Sequence, residues 1–215
     1  MSWYVIGEYW DVLLQGLLTT LYLSVASWIT AVAVALVVAQ MRLARVAVLR
    51  AVGAAYVEFF RNIPPIVIIF FLYFALPSLD IQVSAFWSVS LGVGLYGGAI
   101  MAEIIRSGVA AVPRGQLECA TAYGMGYLQA MRLIVLPQAL RIVIPPMGSE
   151  TINVIKNTSL GAAVSMGEIL GAANVVGSQT FAYAVAFLAA GALYLLLTLP
   201  AAAAVNALER AMAAR

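Results

Sequence analysis

The sequence predicts an all-α polytopic membrane protein of about five transmembrane helices in a single domain. Three observations predict it. The 215 residues are 64% hydrophobic and only 9% charged, whereas soluble domains run to about half apolar and about a quarter charged. The mean hydropathy is +1.01, so lipid must be the solvent for much of the chain. The basic residues fall in alternate segments between apolar runs, as the positive-inside rule requires of a multi-pass protein. Cys119 is the only cysteine and histidine is absent. A disulfide within the chain, a His-based metal site and a Ser-His-Asp triad are therefore excluded. A net charge of +2 gives no reason to expect a nucleic-acid partner.

A hydrocarbon core of about 30 Å takes about 20 helical residues, and five stretches qualify: 13–39, 52–76, 85–105, 136–155 and 180–204. Ahead of the first, residues 1–16 carry no Lys or Arg, only Glu8 and Asp11. A cleaved leader starts basic, so the first stretch is read as retained. The second contains Glu58, Arg61 and Pro64-Pro65. The two charges are spaced to pair on one helix face, and the prolines are expected to kink the span. The third is rich in small residues. Gly92, Gly94, Gly97 and Gly98 suit close helix approach, either to a second subunit or within this one. Glu103 and Arg106 end it as a structural pair. The fourth contains Arg141, Pro145, Pro146 and Glu150, and the fifth is uniformly apolar. Between them, 162–173 reads as a short helix at the outer side, with Glu168 exposed.

Orientation follows from the cations. Arg42, Arg45 and Arg50 lie between the first two stretches, Arg106, Arg114 and Arg132 between the third and fourth, and Arg210 and Arg215 at the C-terminus. With five spans all of these fall on one side, which places the N-terminus outside and the C-terminus in the cytoplasm.

The longest segment between spans, 106–135, reads as two short helices, 116–123 and 127–134. Gly124 and Gly126 permit a reversal between them, and Pro137 opens the next span. Here Glu118-Cys119-Ala120, three residues, Gly124, nine residues and Ile134-Val135-Leu136-Pro137 resemble the signature loop of binding-protein-dependent ABC importer permeases. That loop usually runs Glu-Ala-Ala, three residues, Gly, nine residues, Ile, one residue, Leu-Pro. Cys119 stands where the first Ala is usual. The segments Phe59 to Pro64, Ala102 to Gly108, Val112 to Gln116, Leu136 to Arg141, Ile144 to Pro146 and Lys156 to Leu160 look like the polar amino-acid branch of the family.

The resemblance implies a type I ABC importer permease fold in a bacterial cytoplasmic (inner) membrane. It implies that Gln116, Glu118, Cys119, Ala120, Gly124 and Pro137 form a coupling knob seated on a separate ATPase subunit. It also implies a second permease subunit, identical or homologous, and an extracytoplasmic solute-binding protein. No Walker A pattern is present in the sequence, so the chain is not expected to be an enzyme. The resemblance further implies no cofactor in this chain, with ATP and Mg on the ATPase partner.

The fourth span also carries a polar cluster. Glu150 lies about 20 Å along a helix from Pro137, well inside the membrane. Asn153, Lys156, Asn157, Thr158 and Ser159 follow it. Such groups are costly in lipid unless they line a wet path or pair with one another. They are therefore read as bordering the substrate path or its gate, against the alternative of an internal Glu150–Lys156 pair. An amino acid, with one ammonium and one carboxylate, suits a site offering Glu and Lys. A related importer for an osmolyte or other small zwitterion, and an ion-coupled secondary transporter, are the rival readings.

Overall fold

The computed structural model describes residues 3–213; Arg215, one of the cations used for orientation, lies outside them. A short helix α1 (Tyr4–Glu8) leads into α2 (Trp10–Leu43), a helix of 34 residues. At 1.5 Å per residue α2 is about 50 Å long, longer than the roughly 30 Å hydrocarbon core is thick. Next come α3 (Ala47–Asn62) and α4 (Pro65–Phe70), the latter passing through a π-helical turn (Phe71–Ala75) and a 3-10 turn (Leu76–Leu79). The central helix α5 (Ala85–Ala111) starts at Ser84, whose hydroxyl accepts the backbone N–H of Trp87 at 3.4 Å. Two short helices, α6 (Arg114–Ala122) and α7 (Tyr127–Ala130), precede a second π-helical turn (Met131–Val135) and α8 (Leu136–Asn157). A 3-10 segment (Thr158–Val164), α9 (Ile169–Thr180) and α10 (Tyr183–Ala213) complete the chain.

Among the described residues there is no strand, and four helices are long and apolar enough to cross a membrane. The bent pair α3–α4 makes a fifth candidate if counted as one span. The second span is thus broken rather than kinked, with an angle of 99° between its halves. The residue before a proline is pushed out of the α region. Ile63 (ψ 131°) and Pro64 (ψ 135°) are both extended, so α3 stops at Asn62 and α4 restarts with Pro65 in its first turn. The expected Glu58–Arg61 pair does not form. Both residues are exposed, and Glu58 accepts from Asn62 Nδ2 at 3.3 Å instead.

The fourth span differs in the opposite sense. Pro137 stands in the first turn of α8, as expected, but α8 is no fresh start: residues Tyr127–Val164 form one rod of 38 residues. A proline ring collides with the carbonyl four residues earlier. The wider π turn lies immediately before it and accommodates the mismatch.

α2 and α5 run parallel in close contact, with α8 antiparallel against them. The core includes Leu23, Ala31, Val57, Val93, Met101 and Val154. The glycines of α5 explain the tightness. A Cβ on Gly94 would stand 2.6 Å from Thr30 of α2, on Gly98 2.8 Å from Val34 of α2, on Gly97 3.0 Å from Val154 of α8, and on Gly92 2.6 Å from Ile69 of α4. All four serve packing within the chain, which resolves the alternative left open by the sequence against a subunit contact. A second core, with Leu13, Ile169, Ala172, Val176 and Ala186, lies at the end of the molecule far from α6 and α7.

Candidate functional site

The α6–α7 knob is built on a small apolar base. Leu117 of α6 packs with Val109, Val112, Met131, Val135 and Ala139, where α5 ends and the α8 rod begins. Gln138 Nε2 ties the knob further, donating to Ile134 O at 2.9 Å and to Gln116 Oε1 at 3.4 Å. Gly124 ends α6 with φ of +82°, a left-handed conformation that side chains resist. Its N–H donates to Thr121 O at 2.9 Å and the next N–H, of Met125, donates to Ala120 O at 3.1 Å. This is the Schellman closure of a helix, which favours glycine at that position. Gly126 needs no such freedom, since its φ is −65°.

Of the six residues expected to couple to a partner, Gln116, Glu118, Cys119, Gly124 and Pro137 are exposed and Ala120 is buried beneath the knob. Tyr123, beside Gly124 and 88% exposed, forms the tip. Arg45, from the α2–α3 turn, lies over the ring of Tyr127 at 4.5 Å. Arg50 braces that turn by donating from Nη1 to Ala44 O at 3.1 Å and Arg45 O at 2.7 Å.

Above the knob, Glu103 and Arg106 pair as expected, with Arg106 Nε donating at 3.0 Å. A third member, Arg42 of α2, reaches Glu103 at 3.0 Å. It joins α2 to α5, and nothing in the local spacing announces it.

The mid-membrane cluster separates into two parts. Asn153 and Lys156 are exposed on one face of α8, with Asn157 and Ser159 half-buried. Glu150 is turned inward and is only 5% exposed. Its Oε2 accepts from Asn153 Nδ2 at 3.1 Å, while Oε1 is buried with no hydrogen-bond partner. A Cβ on Gly97 would lie 3.7 Å from that oxygen, so the carboxylate sits against the glycine face of α5. Thr158 is fully buried and donates to Ile155 O at 2.7 Å. No ion pair joins Glu150 to Lys156 among the described residues. Trp28 of α2 borders the same seam, its Nε1 donating to Thr151 Oγ1 at 3.1 Å.

The region beyond α8 corrects two expectations. The helix placed at 162–173 is displaced: the chain stays 3-10 to Val164, turns, and starts α9 only at Ile169. Glu168 is not exposed. It has no accessible surface and caps α9 from within the protein.

Comparison with known proteins agrees with this geometry. The sequence model of the binding-protein-dependent transport system inner membrane component matches residues 31–214. The probable glutamine ABC transporter permease protein GlnM of Bacillus subtilis (strain 168) is 35% identical over 206 residues, 96% of this chain and 95% of the relative. The probable amino-acid ABC transporter permease protein YckA of the same organism is 34% identical over 203 residues, 94% of this chain and 90% of the relative. A crystal structure of an amino acid ABC transporter with histidines superposes with a TM-score of 0.92 at 27% identity, covering 98% of both chains. The MetNI methionine ABC transporter, in inward-facing conformations, shares the fold with a TM-score of 0.77 at 20% identity, over 94% of this chain and 96% of that one. The exposed knob on a continuous helical rod and the matched length of sequence lead to one assignment: the chain belongs to the family of binding-protein-dependent transport system inner-membrane components.

Proposed function

We propose that the chain is the permease subunit of an ABC importer for a polar amino acid, working with a separate ATPase, a second permease subunit and an extracytoplasmic binding protein. The observation that carries the reading is the knob. It exposes Gln116, Glu118, Cys119 and Gly124 on a rigid base, and α7 runs without a break into α8. A push on the knob is therefore delivered to the helix whose open face carries Asn153, Lys156 and Asn157. The relatives' names supply the substrate class.

In this reading the N-terminus is outside and the basic end, with Arg42, Arg45, Arg50 and Arg114, is cytoplasmic. The energy source is ATP and Mg on the partner. This chain contributes a path wall and a lever. Lys156 meets the substrate carboxylate, Asn153 and Asn157 its polar groups, and Glu150 orients Asn153. Ser159 flanks the path where α8 gives way to 3-10 structure, and Thr158, buried behind it, steadies that junction through its bond to Ile155 O.

Reconstitution with the ATPase in liposomes tests this. Uptake of a radiolabelled polar amino acid is expected to require ATP inside the partner-facing side and binding protein on the other. Uptake driven by an ion gradient without ATP would instead support the secondary-transport reading, and preference for betaine-like osmolytes over amino acids would reassign the substrate.

A further inference from the structure

Glu168 is a carboxylate with no access to water. Both of its oxygens are engaged: Oε1 accepts the N–H of Gly171 at 2.8 Å, and Oε2 accepts the N–H of Leu170 at 2.8 Å and the Tyr194 hydroxyl at 2.7 Å. The next N–H along, of Ile169, donates to Thr20 Oγ1 of α2 at 3.1 Å, and Thr20 is itself fully buried. Two adjacent residues thus bring three helices together: the Glu168 side chain joins the start of α9 to the middle of α10, and the Ile169 N–H joins the start of α9 to the outer part of α2.

The backbone around it is equally constrained. Ser165 closes the 3-10 segment in the left-handed region with φ of +57°. A Cβ on Gly171 would stand 2.1 Å from Met166 O, and one on Gly161 3.4 Å from Glu168 Cγ. The turn is clamped between backbone segments at distances that only glycine at 171 allows.

The choice of residue is informative. A helix N-terminus is capped well by Ser, Thr, Asp or Asn, all shorter than Glu. Desolvating a carboxylate costs several kcal/mol per ion, and a neutral cap avoids that cost. What the longer arm adds is the bond to Tyr194, on a different helix. The node also lies at a particular place. The rod that begins at the knob with Tyr127 ends at Val164, immediately before this turn, and is about 55 Å long if it rises 1.5 Å per residue throughout.

We infer that Glu168 is a positioning residue for transport: through Tyr194 it anchors the far end of the knob-driven rod and the start of α9 to α10, beside the Ile169 N–H bond to Thr20 that holds the same turn to α2. Displacement of the knob then moves these helices as one body. Without the anchor the end of the rod slips, and nucleotide hydrolysis proceeds without opening the path. The inference rests on the proposed importer function for its consequence, and on geometry alone for the anchor itself.

Two variants separate an anchor from a simple cap. Tyr194→Phe deletes one hydrogen bond and leaves the cap intact. Glu168→Asp keeps a capping carboxylate that falls short of Tyr194. In the full complex reconstituted with ATPase and binding protein, both variants are expected to hydrolyse ATP within about twofold of wild type. Amino acid moved per ATP is expected to fall by about threefold or more. Hydrogen exchange in the same complexes, with or without transport activity, is expected to show protection across residues 158–171 reduced by about tenfold. Unchanged protection in both variants overturns the anchor. Reduced protection with an unchanged ratio of substrate to ATP overturns its role in coupling. Absence of ATP-driven uptake by the wild type would count against the importer reading, and the exchange data would still decide the anchor.

Discussion

The two buried glutamates teach more by contrast than either does alone. Glu168 has both oxygens engaged by three donors, whereas Glu150 has one donor on one oxygen and none on the other. A fully satisfied buried carboxylate is architecture, because removing it leaves several donors orphaned. A half-satisfied one, with its free oxygen turned to the α5 glycine face and its bonded oxygen on Asn153 of the open polar face, is a less constrained group that acts on that face through Asn153. The same residue type, at nearly the same burial, therefore serves two purposes that hydrogen-bond accounting tells apart.

The comparison is broken most readily at the satisfied member. Glu168→Ala orphans two N–H groups and one hydroxyl, each worth about 1–3 kcal/mol, and is expected to abolish recovery of folded protein from membranes. The measurement is the monodisperse fraction after detergent extraction. Recovery at wild-type level contradicts the structural role. Glu150→Gln keeps shape and retains an oxygen for Asn153, so folding is expected to survive while maximal uptake falls about tenfold, corresponding to about 1.4 kcal/mol. Normal uptake by a well-assembled E150Q complex removes Glu150 from the path. Smaller again is Gly97→Ala, whose methyl would press on Val154 at 3.0 Å. A loss of about 1–2 kcal/mol is expected, read as a lower thermal unfolding midpoint. At the knob, Gly124→Ala puts a side chain at φ of +82°. It is expected to cost about 1 kcal/mol, loosening α6 and reducing ATP-dependent uptake by a few-fold without loss of expression.

The knob was legible in the sequence because its devices are local. Gly124 marks the reversal after α6, and the spacing from Glu118 through Gly124 to Pro137 resembles the family's signature loop. The long apolar runs were legible for the same reason: length and composition suffice. What escaped was long-range partnership. Thr20 and Ile169, or Glu168 and Tyr194, are joined across long stretches of chain, and no spacing rule connects them. Arg42 was hidden from the Glu103–Arg106 pair in the same way. The α5 glycines were visible as close-approach positions, yet only coordinates show that α2, α4 and α8 fill the space. The second span was misread as a kink because two extended residues, Ile63 and Pro64, suffice to end a helix.

The account depends most on the knob lying in the cytoplasm against another protein, and Cys119, the only cysteine and exposed on α6, reports on that directly. Labelling with a membrane-impermeant maleimide is predicted to fail on intact spheroplasts, succeed on inside-out vesicles stripped of ATPase, and be blocked when the ATPase is restored. Labelling from the outer face, or labelling indifferent to the ATPase, would contradict the assignment.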